Sequence, residues 1–425
     1  MRVVIGNHRG VFKSREPATA AQSGRPAAVC LVRQPVFNAH EELVGYRLLS
    51  GTDGSGSPGG YLAAMPQGED AGLALAEELD AIAPHGLVIL SVSRRELLER
   101  RALCLPHDRI VLCLRATEPI HDELHDAIDR HGMRGFRLAL DAVDLAAANE
   151  PLLDRVQTVV VEVAAHSSYR LEALVASVRQ RTSRRELLAD GVDDRRSFQT
   201  CCRLGFDMFQ GQFFLGPTTG STRTAAKAGL VGIGTMAELA TTDSFEGLAA
   251  IITRDPGLSM RLLRYANSGH MALPRRVGSV HEALAWLGTV AVREFALIAA
   301  LANVPEARAE MLVTALTRAR MCQQLSRRLT SVNAEEAFTV GLFSVAEAVT
   351  NAPIEAVLDE LPLREDITSA LVGGVGELGR LLAAVIAYER GDFALTMALT
   401  GACQPIAETY LESLRWADSA VNAIG

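Results

Sequence analysis

The sequence predicts two domains of different fold class, an α/β domain followed by an all-helical one. In residues 28–217, short apolar runs alternate with longer amphipathic segments, an order typical of a parallel sheet with helices packed outside it. From residue 229 to the end of the chain helical periodicity dominates. Residues 218–228 are small, polar and poor in bulky apolar side chains, which predicts a linker between the two domains.

The apolar runs of the first domain have the length of buried β-strands. Segments such as 70–83 and 168–178 lie between them and are predicted as amphipathic helices. The number of repeats suits a closed (β/α) barrel of the TIM-barrel type. The predicted strands are 28–32, 87–92, 110–114, 136–140, 158–163 and 187–189.

Residues 248–288 contain the clearest helix signals in the chain. Apolar residues at positions 258, 262, 263 and 266 form one stripe, which predicts burial against a core. Asp255 directly before Pro256 marks a helix start, because the carboxylate accepts from free backbone N–H groups and proline needs no donor there. Ser279 with Glu282 predicts a capping box for a helix over residues 280–287, which Gly288 ends. Further helices are predicted over residues 307–329 and 334–350.

Composition limits the classes of function. The 425 residues suffice for two buried cores, and a net charge of −8 with scattered basic residues indicates neither a nucleic-acid surface nor a membrane-binding patch. Seven cysteines without paired spacing do not predict a disulfide framework, so we expect a reduced, cytoplasmic setting. We expect no apolar run long enough to cross a bilayer, and we expect residues 1–27 to be a disordered arm.

Three sequence segments connect these domains with known families. DPGLSMRLLRYANSGHMALPRRVGSVHEALAWLG (255–288) resembles the HDOD domain, a helical relative of the HD-type metal phosphohydrolases that lacks their metal ligands. RQPVFNAHEELVGYRLLSG (33–51) and GFDMFQGQFFLGP (205–217) resemble the opening and closing segments of an EAL domain, the barrel that hydrolyses cyclic di-GMP. The resemblance implies a bacterial EAL–HDOD signalling protein, with a degenerate EAL-like barrel over residues 28–217 and an HDOD domain over residues 229–425.

The same resemblance implies that the barrel has lost its catalytic groups. Active EAL domains hold two metal ions on carboxylates at the carboxyl rim of the barrel, and the metals activate water. In this chain Arg47 aligns with the signature glutamate, and Gly51 aligns with the substrate-holding arginine. Two interpretations of the aligned residues follow. They form a remnant of the substrate pocket or, as the preferred interpretation, they are polar residues at the rim of a barrel whose role is structural. The aligned positions are Arg47, Ser91, Cys113, Asp141, Val160, Glu162, Asp190, Asp193 and Gln210.

In the helical domain, Ser344 and Val345 stand where the phosphohydrolase relatives have a metal-binding His–Asp pair. The resemblance therefore implies that this half binds no metal either. The motif residues form a candidate surface for a phosphate or an acidic partner, and the simpler alternative is that its arginines pair within the chain with Asp255, Glu282 or Glu294. The residues of this candidate surface are Asp255, Pro256, Arg261, Arg264, Asn267, Ser268, Arg275 and Arg276.

Two further patterns have simpler explanations. His121 and His125 share a helix face, as zinc ligands do, but no third ligand follows in the usual place and the neighbouring acids indicate a solvated face. Cys113 lies in an apolar strand, which favours a buried structural cysteine over a nucleophile.

We therefore predict a signalling scaffold that is not an enzyme, uses no metal or other cofactor, and acts by protein–protein interaction in a pathway related to cyclic di-GMP. Its expected partners are proteins, a second copy of the chain among them, and not nucleic acid or membrane. We do not expect it to bind cyclic di-GMP tightly. The alternatives are a receptor that binds cyclic di-GMP without cutting it, using Arg47 and Gln210, and a hydrolase of another phosphoester.

Overall fold

The computed structural model describes residues 29–52, 79–99, 105–115, 122–141, 150–181, 185–217, 223–268, 274–304, 307–329, 332–401 and 404–424. Within these residues eight strands close into a barrel in the order β1 to β8. The strands are β1 Val29–Asn38, β2 Leu43–Thr52, β3 Leu87–Val92, β4 Ile110–Arg115, β5 Arg137–Asp141, β6 Thr158–Glu162, β7 Glu186–Asp190 and β8 Met208–Gln210. The predicted arm over residues 1–27 lies outside the described residues, as does most of the predicted helix 70–83.

The first strand runs against the others. β1 is antiparallel to both β2 and β8, whereas every other neighbouring pair is parallel. The prediction of a parallel sheet is therefore wrong for β1. The reason is the connection to β2, which spans only residues 39–42 and can reverse the chain but cannot return it to the starting end of a parallel strand. β2 and β8 are also absent from the six predicted runs.

The barrel interior is filled by one apolar layer below its carboxyl rim. Every second residue of a strand points inward, and most of these positions carry aliphatic side chains that exclude water. Buried members of this layer are Val36, Ile89, Val111, Cys113, Ala139, Val160, Leu188 and Met208. Helices on the outside include Arg94–Leu98, Asp122–Met133, Glu150–Leu153, Ser168–Arg181 and Arg195–Leu204. The predicted (β/α) barrel is confirmed.

The second half of the described chain is helical, which confirms the second predicted fold class. Its helices are Arg223–Thr241, Phe245–Arg254, Pro256–Ala266, Val280–Leu287, Thr289–Ala302, Ala309–Leu329, Ala334–Phe343, Ala346–Thr350, Ile354–Leu358, Glu365–Gly373, Gly376–Glu389, Phe393–Thr400 and Gln404–Ile424.

Two helix boundaries in this half differ from the prediction. The helix Arg223–Thr241 begins inside the predicted linker 218–228, because the alanine-rich run there favours a helix more than its small, polar composition favours a loop. The predicted helix 334–350 is broken after Phe343. There Ser344 donates its hydroxyl to the carbonyl of Gly341 at 2.7 Å and accepts from Arg318 Nη1 at 3.2 Å, contacts that compete with the regular helical pattern.

One stretch, Glu365–Glu389, is long and apolar enough to cross a membrane by length and composition, so the expectation that no run reaches this length is wrong. In the structure this stretch consists of two helices, which are separated at Gly374 by a left-handed turn with φ of 63°. Leu381 and Val385 are buried within the helical domain. Burial of this kind is what a core helix of a folded domain shows.

Candidate functional site

The carboxyl ends of the barrel strands bring most of the aligned pocket residues to one rim. Their side chains share the inward-facing alternation of the apolar layer below them. Going around the barrel, the inward-facing positions near this rim are Gln34, Arg47, Ser91, Cys113, Asp141, Glu162, Asp190 and Gln210.

Arg47 lies at the centre of this rim and carries a buried charge. Its Nη1 donates to Asp190 Oδ2 at 2.6 Å, and its Nη2 donates to Asp141 Oδ2 at 3.0 Å. A longer contact of 3.4 Å joins Nη1 to Gln210 Oε1. Arg47 is 1% exposed and Asp141 is 6% exposed, so these pairs are largely shielded from bulk water. A buried guanidinium is tolerated only when carboxylates compensate it in this way.

The pKa values of two rim residues, Arg47 and Cys113, are shifted by their surroundings. Burial alone would lower the pKa of Arg47, but Asp190, Cys113 and Asp141 raise it above its ordinary value, so the guanidinium stays charged. Burial raises the pKa of the Cys113 thiol to about 12, although the nearby Arg47 lowers it. Cys113 is therefore a neutral buried thiol at physiological pH, and it lacks the thiolate character that a nucleophile needs.

Four of the aligned residues take no part in this cluster. Val160 packs in the apolar layer below the rim, and Ser91 is half-buried on β3. Glu162 is exposed at the end of β6. Asp193 lies beyond β7, where its Oδ1 accepts from the backbone N–H of Gln212 at 3.0 Å. Of the four retained acids, Asp141 and Asp190 meet at Arg47, whereas Glu162 and Asp193 lie apart from them.

The residues at the rim do not fit a pair of divalent metal ions. The guanidinium of Arg47 lies between Asp141 and Asp190 and engages an oxygen of each carboxylate. Arg115 Nε adds a second positive group, 3.4 Å from the same Asp141 oxygen. In the described part of the chain, no three His, Cys, Asp or Glu side chains are grouped so as to hold a metal.

The HDOD motif builds the helix that the sequence predicts, with one difference. Asp255 Oδ1 accepts from the N–H groups of Gly257 at 2.8 Å and of Leu258 at 3.1 Å, with Pro256 at the first helical position. The predicted capping box at the next helix is only half formed. Ser279 accepts from the Glu282 N–H at 3.1 Å, but the Glu282 carboxylate accepts from Gly278 and not from Ser279.

Asn267 closes the turn that follows this motif helix. Its amide donates to the carbonyls of Leu263 at 2.7 Å and of Val277 at 2.9 Å, and its oxygen accepts from the Val277 N–H at 2.8 Å. Ser268 ends the helix through its backbone N–H, which donates to the Tyr265 carbonyl at 3.0 Å. These two residues therefore have structural roles.

The motif arginines do not make the intramolecular ion pairs offered as the simpler alternative. Among the residues that the structure describes, none of the four has a carboxylate partner within ion-pair distance. Arg261 Nη1 instead makes a long contact of 3.4 Å with the carbonyl of Ala299, and Arg275 lies over the Trp286 ring at 5.8 Å. Arg264 and Arg276 are exposed and line an open groove with Met260.

A second constellation, which the sequence did not reveal, lies where the helical domain meets β1 and β2. Arg33 Nη1 donates to the Ile82 carbonyl at 2.7 Å and to Asp418 Oδ2 at 3.0 Å. The hydroxyl of Tyr46 donates to Glu310 Oε1 at 2.6 Å, under the Arg33 guanidinium. Burial raises the pKa of Glu310, while Arg33 and the hydrogen bond from Tyr46 lower it.

Two tyrosines of the helical domain bind the backbone of β1 at the same junction. The hydroxyl of Tyr388 accepts from the N–H of Leu31 at 3.2 Å and donates to its carbonyl at 3.0 Å. Tyr410 makes the equivalent pair of bonds with Arg33, at 3.0 and 3.2 Å. Tyr388 and Tyr410 lie 357 and 377 residues from the backbone groups that they bind, so no local sequence pattern predicts these contacts.

The rim and the junction are connected. Gln210 Nε2 donates to Gln34 Oε1, and Gln34 Nε2 donates to the carbonyl of Glu389 at 2.8 Å. A hydrogen-bonded path therefore leads from Arg47 through two glutamines to the helical domain. Beside it lies a cleft of about 140 Å³ with both domains in its walls, including the buried Thr317.

The predicted zinc-like pair is only partly described. His125 lies on the helix Asp122–Met133, whereas His121 falls outside the described residues. Nothing in the described chain adds a third ligand to His125.

Comparison with known proteins identifies a family for the helical half and finds relatives that align over most of the chain. Residues 237–352 match the family model of the HDOD domain. The chain is 28% identical over 375 residues to the cyclic di-GMP phosphodiesterase CdgJ of Vibrio cholerae, an alignment that covers 85% of each chain. It is 23% identical over 417 residues to the uncharacterized protein YuxH of Bacillus subtilis, covering 93% of this chain and 99% of that one.

Solved structures similar to this chain include an EAL-domain protein from Listeria monocytogenes EGD-e, with 10% identity and a TM-score of 0.36 over 44% of this chain and 87% of that one. BlrP1 of Klebsiella pneumoniae, in complex with calcium and cyclic di-GMP, has 18% identity and a TM-score of 0.34 over 44% of this chain and 55% of that one. The HDOD match lies in the helical half. The alignments with the two curated relatives span 375 and 417 residues, so they also include much of the barrel. The chain thus contains an HDOD domain in its helical half and is similar over most of its length to CdgJ and YuxH.

Proposed function

We propose that this protein works in cyclic di-GMP signalling as a cytoplasmic scaffold that does not hydrolyse the dinucleotide. The observation that carries the proposal is the pairing of Arg47 with Asp141 and Asp190 at the barrel rim. One oxygen of each carboxylate is engaged by the Arg47 guanidinium, and this positive charge between the two carboxylates repels divalent ions. Without bound metal, the rim has no means of lowering the pKa of an attacking water.

The neighbouring positions supply no substitute chemistry. Cys113 is a protonated thiol, and the hydrocarbon side chain of Val160 can neither bind a metal nor accept a proton. In the helical domain Ser344 stabilises a helix break, and its partner Arg318 is committed to Glu389 at 2.7 Å. What both halves retain is a buried core and an extensive shared junction, which suits a protein that acts through its surfaces.

A hydrolysis assay tests this proposal directly. Purified protein is incubated with cyclic di-GMP and either magnesium or manganese, with the Vibrio cholerae relative CdgJ, named as a cyclic di-GMP phosphodiesterase, assayed in parallel as the positive control. We expect linear dinucleotide from the relative only. Sustained production of linear dinucleotide by this protein would show that the proposal is wrong.

The name of that relative favours hydrolysis as the rival function, and the rival makes a distinct prediction. A hydrolase that uses this rim must hold metal, so protein purified without chelator should contain divalent ions in stoichiometric amount. Elemental analysis measures this. Equilibrium dialysis distinguishes the scaffold from a receptor that binds cyclic di-GMP without cutting it. Binding of cyclic di-GMP at micromolar concentration would favour the receptor.

A further inference from the structure

The end of β2 projects beyond the closed part of the barrel. β2 pairs with β3 only as far as Leu48, while its pairing with β1 continues to Thr52. By strand alternation, Leu49 and Gly51 lie on the same face as Arg47, whose side chain points into the barrel. The projecting hairpin therefore presents Leu49 and Gly51 along one side of the barrel mouth.

The helical domain is seated on this face. A Cβ atom added to Gly51 would lie 2.4 Å from Cδ2 and 2.7 Å from Cε2 of Phe393, far inside contact distance. Gly51 is not in the left-handed backbone region, so its conformation does not require glycine. The three heavy atoms nearest to the added Cβ all belong to the Phe393 ring, so the steric requirement for glycine comes from that ring. Two residues earlier, Gly391 packs in the same way against Leu49.

The Phe393 ring is half-buried and is supported by a second aromatic ring of the same segment. It packs edge-on against the Tyr388 ring, with centroids 5.4 Å apart. Tyr388 is itself bound to the backbone of Leu31 by two hydrogen bonds. Between these two aromatic residues, the carbonyl of Glu389 accepts from Gln34, whose side chain belongs to the rim. Tyr388, Glu389 and Phe393 of the turn 388–393 thus all contact β1 or β2.

We infer that the turn 388–393 seals the β1–β2 side of the barrel mouth, and that Gly51 is the residue that permits the seal. A side chain at position 51 and a docked helical domain exclude each other. A ligand group entering the mouth from this side must also displace Phe393. This deepens the proposed function, on which the last point rests: the barrel mouth lacks metal ligands, and the chain's own second domain occupies one side of it.

A size-exchange experiment tests the inference. The variants are Gly51→Leu, Phe393→Ala and the double variant, with Gly234→Leu as the matched control, because a Cβ at Gly234 meets nothing within 4 Å. Hydrogen–deuterium exchange is measured in residues 29–34 and 388–393, with β4 and β7 as internal references. In Gly51→Leu we expect exchange in both test segments to rise roughly tenfold or more, since overpacking opens the contact, and no change in the references.

In the double variant, removal of the ring makes room for the leucine, so protection should return to within about threefold of the wild type. The inference is overturned if Gly51→Leu is as protected as the wild type, or if the double variant is no better than Gly51→Leu. An equal rise in β4 and β7 would overturn it too, since the leucine would then damage the barrel and not the docking contact. The readout needs no ligand, so hydrolysis by the wild type would refute the proposed function without affecting this result.

Discussion

At the scale of single residues, Arg47 places a permanent positive charge in the barrel mouth. Asp190 and Asp141 compensate it on one side, and Gln210 contacts it on another. Its Nε has no hydrogen-bond partner within the described structure, so the site is not fully satisfied. Such a buried ion pair contributes little net stability. Removal of one partner, however, leaves the other charge buried and uncompensated, which destabilises the fold.

We predict that Arg47→Met destabilises the fold by about 3 kcal/mol, at the low end of the range for a broken buried pair, because Arg115 remains near Asp141. Chemical denaturation monitored by circular dichroism measures the change. Arg95→Met removes an exposed pair with Glu99 and serves as the control, with an expected change below about 0.5 kcal/mol. A loss as small for Arg47 as for Arg95 would contradict the prediction.

Restoring the signature acid alone should not restore hydrolysis. Arg47→Glu places a third carboxylate beside Asp141 and Asp190, but Cys113 and Val160 still provide no further ligand or base. The expected result is no linear dinucleotide from cyclic di-GMP with magnesium or manganese. Turnover above the wild-type background in this single variant would show that the other changed positions are not required.

Cys113 should be unreactive in the folded protein. Its thiol is 1% exposed, and burial raises its pKa to about 12, so both access and thiolate formation are suppressed. With iodoacetamide at pH 8, mass spectrometry should find Cys202, which is partly exposed, modified well before Cys113. Equal rates at the two sites in native protein, with denatured protein as the reference for full reactivity, would contradict this expectation.

At the scale of elements, the motif helix Pro256–Ala266 depends on its first residue. Asp255 accepts from two backbone N–H groups that have no partner inside the helix. Leu258, Leu262 and Ala266 are fully buried and fix the orientation of the helix in the domain. The cap and the apolar stripe therefore support the same helix from its end and from one side.

We predict that Asp255→Ala lowers the free energy of unfolding by about 1 kcal/mol through the loss of this cap. Asp255→Asn keeps an acceptor and should recover most of the loss. Glu412→Ala, at an exposed position inside a helix, is the control and should have almost no effect. Thermal unfolding followed by circular dichroism distinguishes the three, and an unchanged midpoint for Asp255→Ala would refute the role of the cap.

At the scale of the whole molecule, the two domains share a junction built from buried polar groups. Arg33 and Tyr46 of the barrel meet Glu310 and Asp418 of the helical domain. Side chains that are charged and buried can be accommodated only when the opposite domain supplies their partners. Separation of the domains would leave these groups unpaired, so we expect the two halves to unfold together.

Loss of the tyrosine hydroxyls should weaken this coupling. Tyr388→Phe and Tyr410→Phe each leave a buried backbone N–H and carbonyl of β1 without a side-chain partner, at a cost of about 1–3 kcal/mol per variant. Differential scanning calorimetry should show the single transition broadening or splitting in the double variant. Tyr169→Phe, whose ring is 83% exposed, is the matched control and should leave the transition unchanged. A single unshifted transition in the double variant would contradict the coupling.

Local signals determined most of the fold. The alternation of apolar runs and helices predicted the barrel, and Asp255 with Pro256 placed the start of the motif helix at the correct residue. Both features depend on neighbours within a few positions, which a sequence displays directly. The antiparallel β1 was not predicted, because strand direction depends on how a short connection closes the barrel and not on the residues of the strand itself.

The sequence by itself determined that Arg47 stands where the resemblance implies a metal ligand. Only the tertiary structure decided what Arg47 does there, because Asp141, Asp190 and Gln210 reach it from strands that are distant in sequence. The contact between Gly51 and Phe393 was equally hidden, since the space that a side chain may occupy depends on whichever segment folds against it. Short-range sequence patterns determine where helices and strands form, whereas charge pairing and steric exclusion arise only when helices and strands distant in sequence come into contact.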